Sequence, residues 1–302
     1  MGHGILLLLS LVLVISWKNF GKYAVEPITG AGVQEFQSTK GPMLKLSHSS
    51  KVVYEFCPQS YYLSRKLYLK PFIPMRWPLV IGVAFHELMN EMYTTCNFSY
   101  EFLRRGWKKH FMDAMEKEAS AFSSTAGYEE HLQAGYILIA TFYKFAKENG
   151  YLVRPMATEW TFEIVYQGFK IKGIIDLILQ KDDGQVHILD FKTGWATISA
   201  DKLAVHPQLT LYHWGVKQGM GITADRVGLF FPRKRSVLLS TRTESDHIQL
   251  LDEYVKVAES ITKEDFHPEL GQCAHCEMSK LCPFFKQSQA AVAQPIVPKP
   301  ID

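Results

Sequence analysis

Hydrophobic and polar positions divide the chain into an apolar start, a helical half and a strand-rich half. Ile5 to Trp17 is apolar except for two serines, and it spans 13 residues, short of the roughly 20 a membrane-crossing helix needs. No Lys or Arg precedes it and no small-x-small site follows, so it reads as an extension, or a start assigned too early ahead of Met43, rather than a secretion signal. A membrane anchor through residues 5–17 is the less favoured reading. Gly21 to Gly41 holds four glycines and Pro27 without a period and reads as a linker. Ordered structure is expected from Leu44.

Helical spacing then dominates. Ser47 or Ser49 can cap a helix through Tyr54, Tyr61, Tyr62 and Leu69 that Pro71, Pro74 and Pro78 end. Further helices are predicted over Gly82 to Tyr93, Phe102 to Ala121 and Tyr128 to Asn149. At Ala157 the period changes to two. Thr158 to Tyr166 and Phe169 to Leu179, separated by Gln167-Gly168, predict a β-hairpin, and Gln185 to Phe191 a third strand. A helix over Ala200 to Gln218, strands over Arg226 to Phe231 and Val237 to Thr241, and a helix over Asp246 to Thr262 complete the pattern. A Pro-containing tail follows.

Composition bounds the class. With 302 residues, 47% of them hydrophobic, the chain can bury a large core, which excludes disordered and fibrous classes. A net charge of +3 leaves any nucleic-acid contact to local basic stretches: Arg65 to Arg76, Arg104 to His110, and Arg233-Lys234-Arg235. Trp107, Tyr61, Tyr62 and Trp77 lie beside these runs as candidate stacking residues.

The candidate chemistry lies in the strands. Period two puts Asp190 and Lys192 on one face, roughly 6–7 Å apart. Asp176 sits among apolar neighbours one strand earlier. A buried carboxylate is costly unless it is paired or binds metal. Two acids and a lysine on adjacent strands suit a hard divalent cation and phosphodiester chemistry; a surface ion pair is the plain alternative.

In order along the chain stand Gly82-Val83-Ala84-Phe85-His86-Glu87, Gly173-Ile174-Ile175-Asp176, Asp190-Phe191-Lys192-Thr193-Gly194 and Gln208-Leu209-Thr210-Leu211-Tyr212. This series resembles the RecB-like branch of the PD-(D/E)XK nuclease superfamily, from about Leu44 to Phe285. The resemblance implies an α/β restriction-endonuclease-like core: a mixed central sheet flanked by helices, with helical N-terminal additions and a C-terminal iron-sulfur segment. Residues 44–285 would form that domain, preceded by the extension and linker of residues 1–43 and followed by a flexible tail, 286–302. It implies further that His86, Asp176, Asp190 and the Phe191 carbonyl hold Mg²⁺ or Mn²⁺. Lys192 would act on the attacking water, and Gln208 and Tyr212 would line the site and contact DNA. Glu159 matches an acidic position of the family, with Glu163 as the competing candidate.

Of the five cysteines, Cys273-x-x-Cys276-x5-Cys282 and the distant Cys57 supply soft ligands suited to zinc or iron-sulfur. The resemblance favours a four-iron four-sulfur cluster, as in CRISPR-associated RecB-like exonucleases and AddB-type nuclease domains, with zinc the alternative. Cys96 is spare. Thiolate-bound iron points to a reducing, cytoplasmic or other intracellular compartment. The implied function is a metal-dependent DNA exonuclease acting on single strands or ends, in repair, recombination or CRISPR-related processing. Helicase or CRISPR-associated partners stay open. The readings from other classes are a non-catalytic DNA-binding or adaptor subunit that keeps the cluster as a scaffold, and a zinc or redox iron-sulfur protein without nuclease activity.

Overall fold

The structure, a computed structural model, describes residues 43–69, 77–117 and 127–286. The apolar N-terminal run, its linker and the Pro-containing tail lie outside these residues. In chain order the elements are β1 (Lys45–Ser47), α1 (His48–Phe56), α2 (Pro58–Tyr61), α3 (Trp77–Thr95), α4 (Tyr100–Lys117), α5 (Tyr128–Glu148), β2 (Pro155–Tyr166), β3 (Phe169–Gln180), β4 (Val186–Phe191), α6 (Ala200–Ala204), α7 (Pro207–Met220), β5 (Arg226–Phe231), β6 (Ser236–Ser240) and α8 (Glu244–Thr262). Among the described residues no helix is long and apolar enough to cross a membrane.

Local chemistry explains where these elements start and stop. Ser47 caps α1 reciprocally with Ser50: the Ser50 N–H donates to Ser47 Oγ at 3.2 Å and the Ser47 N–H to Ser50 Oγ at 2.7 Å, satisfying two donors that a helix start leaves open. The single helix expected as far as Leu69 is interrupted at Cys57, which is extended (φ −166°). The ring of Pro58 disfavours helical backbone in the residue before it. The same rule divides the helix expected over Ala200 to Gln218: His206 is extended ahead of Pro207, giving α6 and α7. Pro78, expected as a breaker, instead lies in the first turn of α3, where a missing N–H costs nothing.

The sheet is mixed, with strand order β1-β3-β4-β5-β6 and β2 paired to β3. β2 runs antiparallel along β3, from Ala157 opposite Ile178 to Tyr166 opposite Phe169. The other edge of β3 is shared. Parallel β1 takes Lys170 to Lys172, and antiparallel β4 takes Leu177 to Gln180. Gly173 to Asp176 therefore face a fork in the sheet without a strand partner on that edge. β5 lies parallel to β4, and β6 antiparallel to β5.

Helices cover both faces. On one side α1, α7 and α8 enclose Ile171, Ile175, Ile188, Val227 and Leu229, and on the other α3, α4 and α5 enclose Leu177, Leu189, Phe191 and Phe230. Glycines set the closest approaches. A Cβ at Gly173 or Gly215 would come 2.6 Å from the Phe162 ring, so the two glycines form a slot that lets α7 settle onto the hairpin. On the opposite face a Cβ at Gly135 would meet Trp107 at 1.8 Å. The indole of Trp107 is wholly buried there, its Nε1–H donating to the Leu132 carbonyl at 2.9 Å.

Candidate active site

The fork collects the acidic residues. Phe191 is the last residue of β4, and its N–H donates to Asp176 Oδ2 at 2.7 Å, a side-chain acceptor in place of a strand carbonyl. His86, on α3, places Nδ1 3.4 Å from the same oxygen. The Phe191 ring seats that corner by edge contacts with Phe85, Phe142 and His86. α3 passes close to the loop after Lys192, because a Cβ at Gly82 would lie 3.3 Å from Thr193 Oγ1.

Glu159 comes from β2. It falls between the Thr158–Leu177 and Trp160–Ile175 pairs, level with Asp176, in left-handed backbone (φ 46°). That conformation is strained for a residue with a side chain and is typical of functional sites. His86, Glu159 and Asp176 each bring a ligand atom within 4.8 Å of the others, and among the described residues they form the one such group of three or more. The competing Glu163 is elsewhere, exposed and paired with Lys45 and Lys170.

Asp190 occupies a second position, on the α7 side of β4. Its side chain is 5% exposed and Oδ2 forms an ion pair with Lys192 Nζ at 2.7 Å. Lys192 Nζ donates to Gln208 Oε1 at 3.2 Å, and Gln208 Nε2 to Tyr212 Oη at 2.7 Å. Tyr212 is buried, so it reaches the lysine through Gln208.

The electrostatics agree with a crowded anionic site. Burial, then the charge of Asp176, push Asp190 up to about 6 against the pull of Lys192. Burial and Asp176 likewise raise Glu159. Burial works against a charge on His86, but its close approach to Asp176, with Asp190 and Glu159 nearby, outweighs this and raises its pKa. Carboxylates crowded until two of them resist ionisation form an environment that a bound cation would relieve. Carboxylates and an imidazole suit Mg²⁺ or Mn²⁺.

The four cysteines of the expected cluster also converge. Cys57 Sγ accepts from the Glu269 N–H at 3.4 Å, and the Gln59 N–H donates to the His267 carbonyl at 3.1 Å. These contacts bring the α1–α2 junction to the segment carrying Cys273, Cys276 and Cys282. Burial raises the Cys282 thiol, and charge on Cys273, Cys276 and Cys57 raises it further. Cys96 is exposed.

The expected nucleic-acid residues fare differently. Trp107 and Tyr61 are core residues, Trp77 stacks on Phe111 and His131, and Tyr62 packs against Phe266. Arg104 and Arg105 are tied to Glu101. A charge run beside aromatic residues thus marked a helix with one buried and one solvated face. Residues 70–76 of the first basic stretch lie outside the described residues. An exposed aromatic residue three positions past Lys192 is Trp195, 68% exposed, with Arg233 and Lys234 near its ring. Its signal in the sequence was an aromatic residue three positions after Lys192 in a Gly-containing loop.

The model of the PD-(D/E)XK nuclease superfamily matches residues 45–283, and the chain belongs to that superfamily. The match takes in every element from β1 to α8 and all four converging cysteines. A curated relative, the Gene 69 protein of Mycobacterium phage D29, is 29% identical over 138 residues, which are 43% of this chain and 49% of that protein; the chain spans about half the length of this relative. Among solved structures, a candidate exonuclease of Eubacterium rectale aligns with a TM-score of 0.48 and 10% identity over 85% of this chain and 91% of that one.

Proposed function

We propose that this chain is a metal-dependent deoxyribonuclease that hydrolyses phosphodiester bonds in single-stranded DNA or at DNA ends. The observation that carries this reading is the convergence of His86, Glu159 and Asp176 beside the buried Asp190–Lys192 pair. Exonuclease action is the mode that the resemblance to RecB-like nucleases favours; the motif residues themselves are shared with endonucleases of that branch. Residues 44–285 act as one nuclease domain, between the N-terminal extension and the tail.

His86, Asp176 and Asp190, with the Phe191 carbonyl, hold Mg²⁺ or Mn²⁺, and Glu159 joins them from the neighbouring strand. The bound cation supplies charge for the phosphate and acidifies water. Lys192, fixed between Asp190 and Gln208, turns an N–H toward the attacking water or a phosphate oxygen. Gln208 sets that direction, because the Tyr212 hydroxyl accepts from its Nε2 and leaves Oε1 to face the lysine.

Cys57, Cys273, Cys276 and Cys282 hold a four-iron four-sulfur cluster that ties the N-terminal helices to the C-terminal segment. Zinc on the same four thiols is the alternative, and iron content of the purified protein separates the two.

The test is cleavage of end-labelled single-stranded DNA in Mg²⁺ or Mn²⁺ by anaerobically purified protein and by Asp190→Ala. The wild type should degrade the strand and the variant should be at least ~100-fold slower. Equal rates in the two, or no cleavage by a wild type shown to contain iron, would sink the catalytic reading.

A further inference from the structure

Parallel pairing of β4 with β5 carries two loops to one end of the sheet. Phe191 lies opposite Phe230, and the Lys192 N–H donates to the Phe230 carbonyl at 2.8 Å. Three residues past Lys192 stands Trp195, and three residues past Phe230 stands Arg233. Arg233 Nε donates to the Thr193 carbonyl at 2.7 Å, fastening one loop to the other. Its guanidinium carbon lies 5.1 Å from the centre of the Trp195 ring, and Lys234 Nζ lies 5.4 Å from it.

Three properties set this group apart. The indole is 68% exposed, which keeps a large flat apolar surface in water. Among the described residues no carboxylate pairs with Arg233 or Lys234, whereas Arg104, Arg105 and Lys117 each hold a glutamate. The group is also joined by a short covalent path to Lys192. An open aromatic ring next to unpaired cations matches unpaired nucleic acid, in which a base offers a π-face and the backbone a phosphate. Paired bases in a duplex have both faces covered, so they cannot use the ring.

We propose that Trp195, Arg233 and Lys234 form a stacking platform that takes one unpaired nucleobase, with its phosphate on the two cations, beside the Asp190–Lys192 pair. The proposal rests on the nucleic-acid reading above and deepens it by assigning the contact with an unpaired base to named residues. The platform positions the strand; Trp195 takes no part in bond cleavage.

The test is binding of fluorescein-labelled oligonucleotides, followed by anisotropy in buffer without divalent cations. Wild type, Trp195→Ala, Trp195→Phe and Lys234→Ala are compared on an oligo-dT and on an abasic strand with the same number of phosphates. Trp195→Ala should weaken oligo-dT binding roughly ten-fold and leave the abasic strand unaffected, and Trp195→Phe should restore most of the loss. Lys234→Ala should weaken both strands and reduce the salt dependence. Unchanged oligo-dT binding by Trp195→Ala, equal loss on both strands, or no oligo-dT binding by the wild type would each overturn the platform. The nuclease reading fails separately. A wild type that cleaves DNA while Trp195→Ala binds normally removes the platform alone, and a wild type that cleaves nothing while Trp195→Ala loses oligo-dT binding removes the nuclease alone.

Discussion

Asp190 carries the cost of the site in its own titration. In the fold it takes up a proton at about pH 6, against 3.8 when free. Between these values the folded state binds more protons than the unfolded chain, so stability falls as pH rises, and above pH 6 the penalty is complete. Asp190→Asn should therefore raise stability without divalent cation by up to ~3 kcal/mol at pH 7.5, with no gain near pH 4, while abolishing cleavage; thermal melts at the two pH values measure this. His48 and His206 titrate in the opposite sense. Burial, with charge from Lys192, holds both down to about 4 from 6.5. The unfolded chain then binds more protons between pH 6.5 and 4, and stability is lost as pH falls through that window. His206→Gln should flatten the acid limb of the stability curve, and an unchanged limb would show that His206 titrates normally. Glu159 shows why residue-level reading stops short. Strict alternation puts Glu159 and Glu163 on one face; the register against β3, which sets Glu159 level with Asp176 and Glu163 opposite Lys172, and the left-handed backbone at Glu159 separate the two.

At the scale of elements, hydrophobic period located the helices and the hairpin, because each long element buries one continuous stripe. Two kinds of feature escaped it. The three residues of β1 are too few to show a period, and the breaks at Cys57 and His206 follow from the prolines behind them rather than from any apolar pattern. The first break places Cys57 at a helix junction facing the C-terminal segment, where the proposed cluster would use it. Cys57→Ser should lower iron content and raise protease sensitivity in residues 48–66 and 267–285 together. Loss of iron with unchanged digestion would show that the cluster does not tie these segments. Close contacts between elements are more brittle. Gly135→Ala would drive a methyl group into the buried Trp107 ring, and overpacking of this kind costs ~2–3 kcal/mol. Chemical denaturation should show that loss with activity retained below the transition.

Across the whole molecule, the fork in the sheet joins architecture to chemistry. β1 and β4 share one edge of β3 and leave Gly173 to Asp176 open, so carboxylates from three strands and a histidine from α3 meet where the sheet has no backbone partner to offer. The motif order made His86, Asp176, Asp190 and Lys192 legible in the sequence because each sits at a fixed register in its element. The fork was not legible, since it depends on the edge to which β1 returns, more than a hundred residues before β3. Trp195 escaped because its meaning depends on Arg233 and Lys234 arriving from the neighbouring strand.

The central claim is that the carboxylates around the fork and His86 form one metal-activated hydrolytic centre. Mn²⁺ bound per chain, measured by electron paramagnetic resonance on the same samples whose initial cleavage rates are recorded, tests it most directly in wild type and Asp176→Asn. The account predicts that Asp176→Asn loses Mn²⁺ and cleavage together, the rate falling at least ~100-fold. A variant that binds no Mn²⁺ yet cleaves single-stranded DNA at the wild-type rate would contradict it.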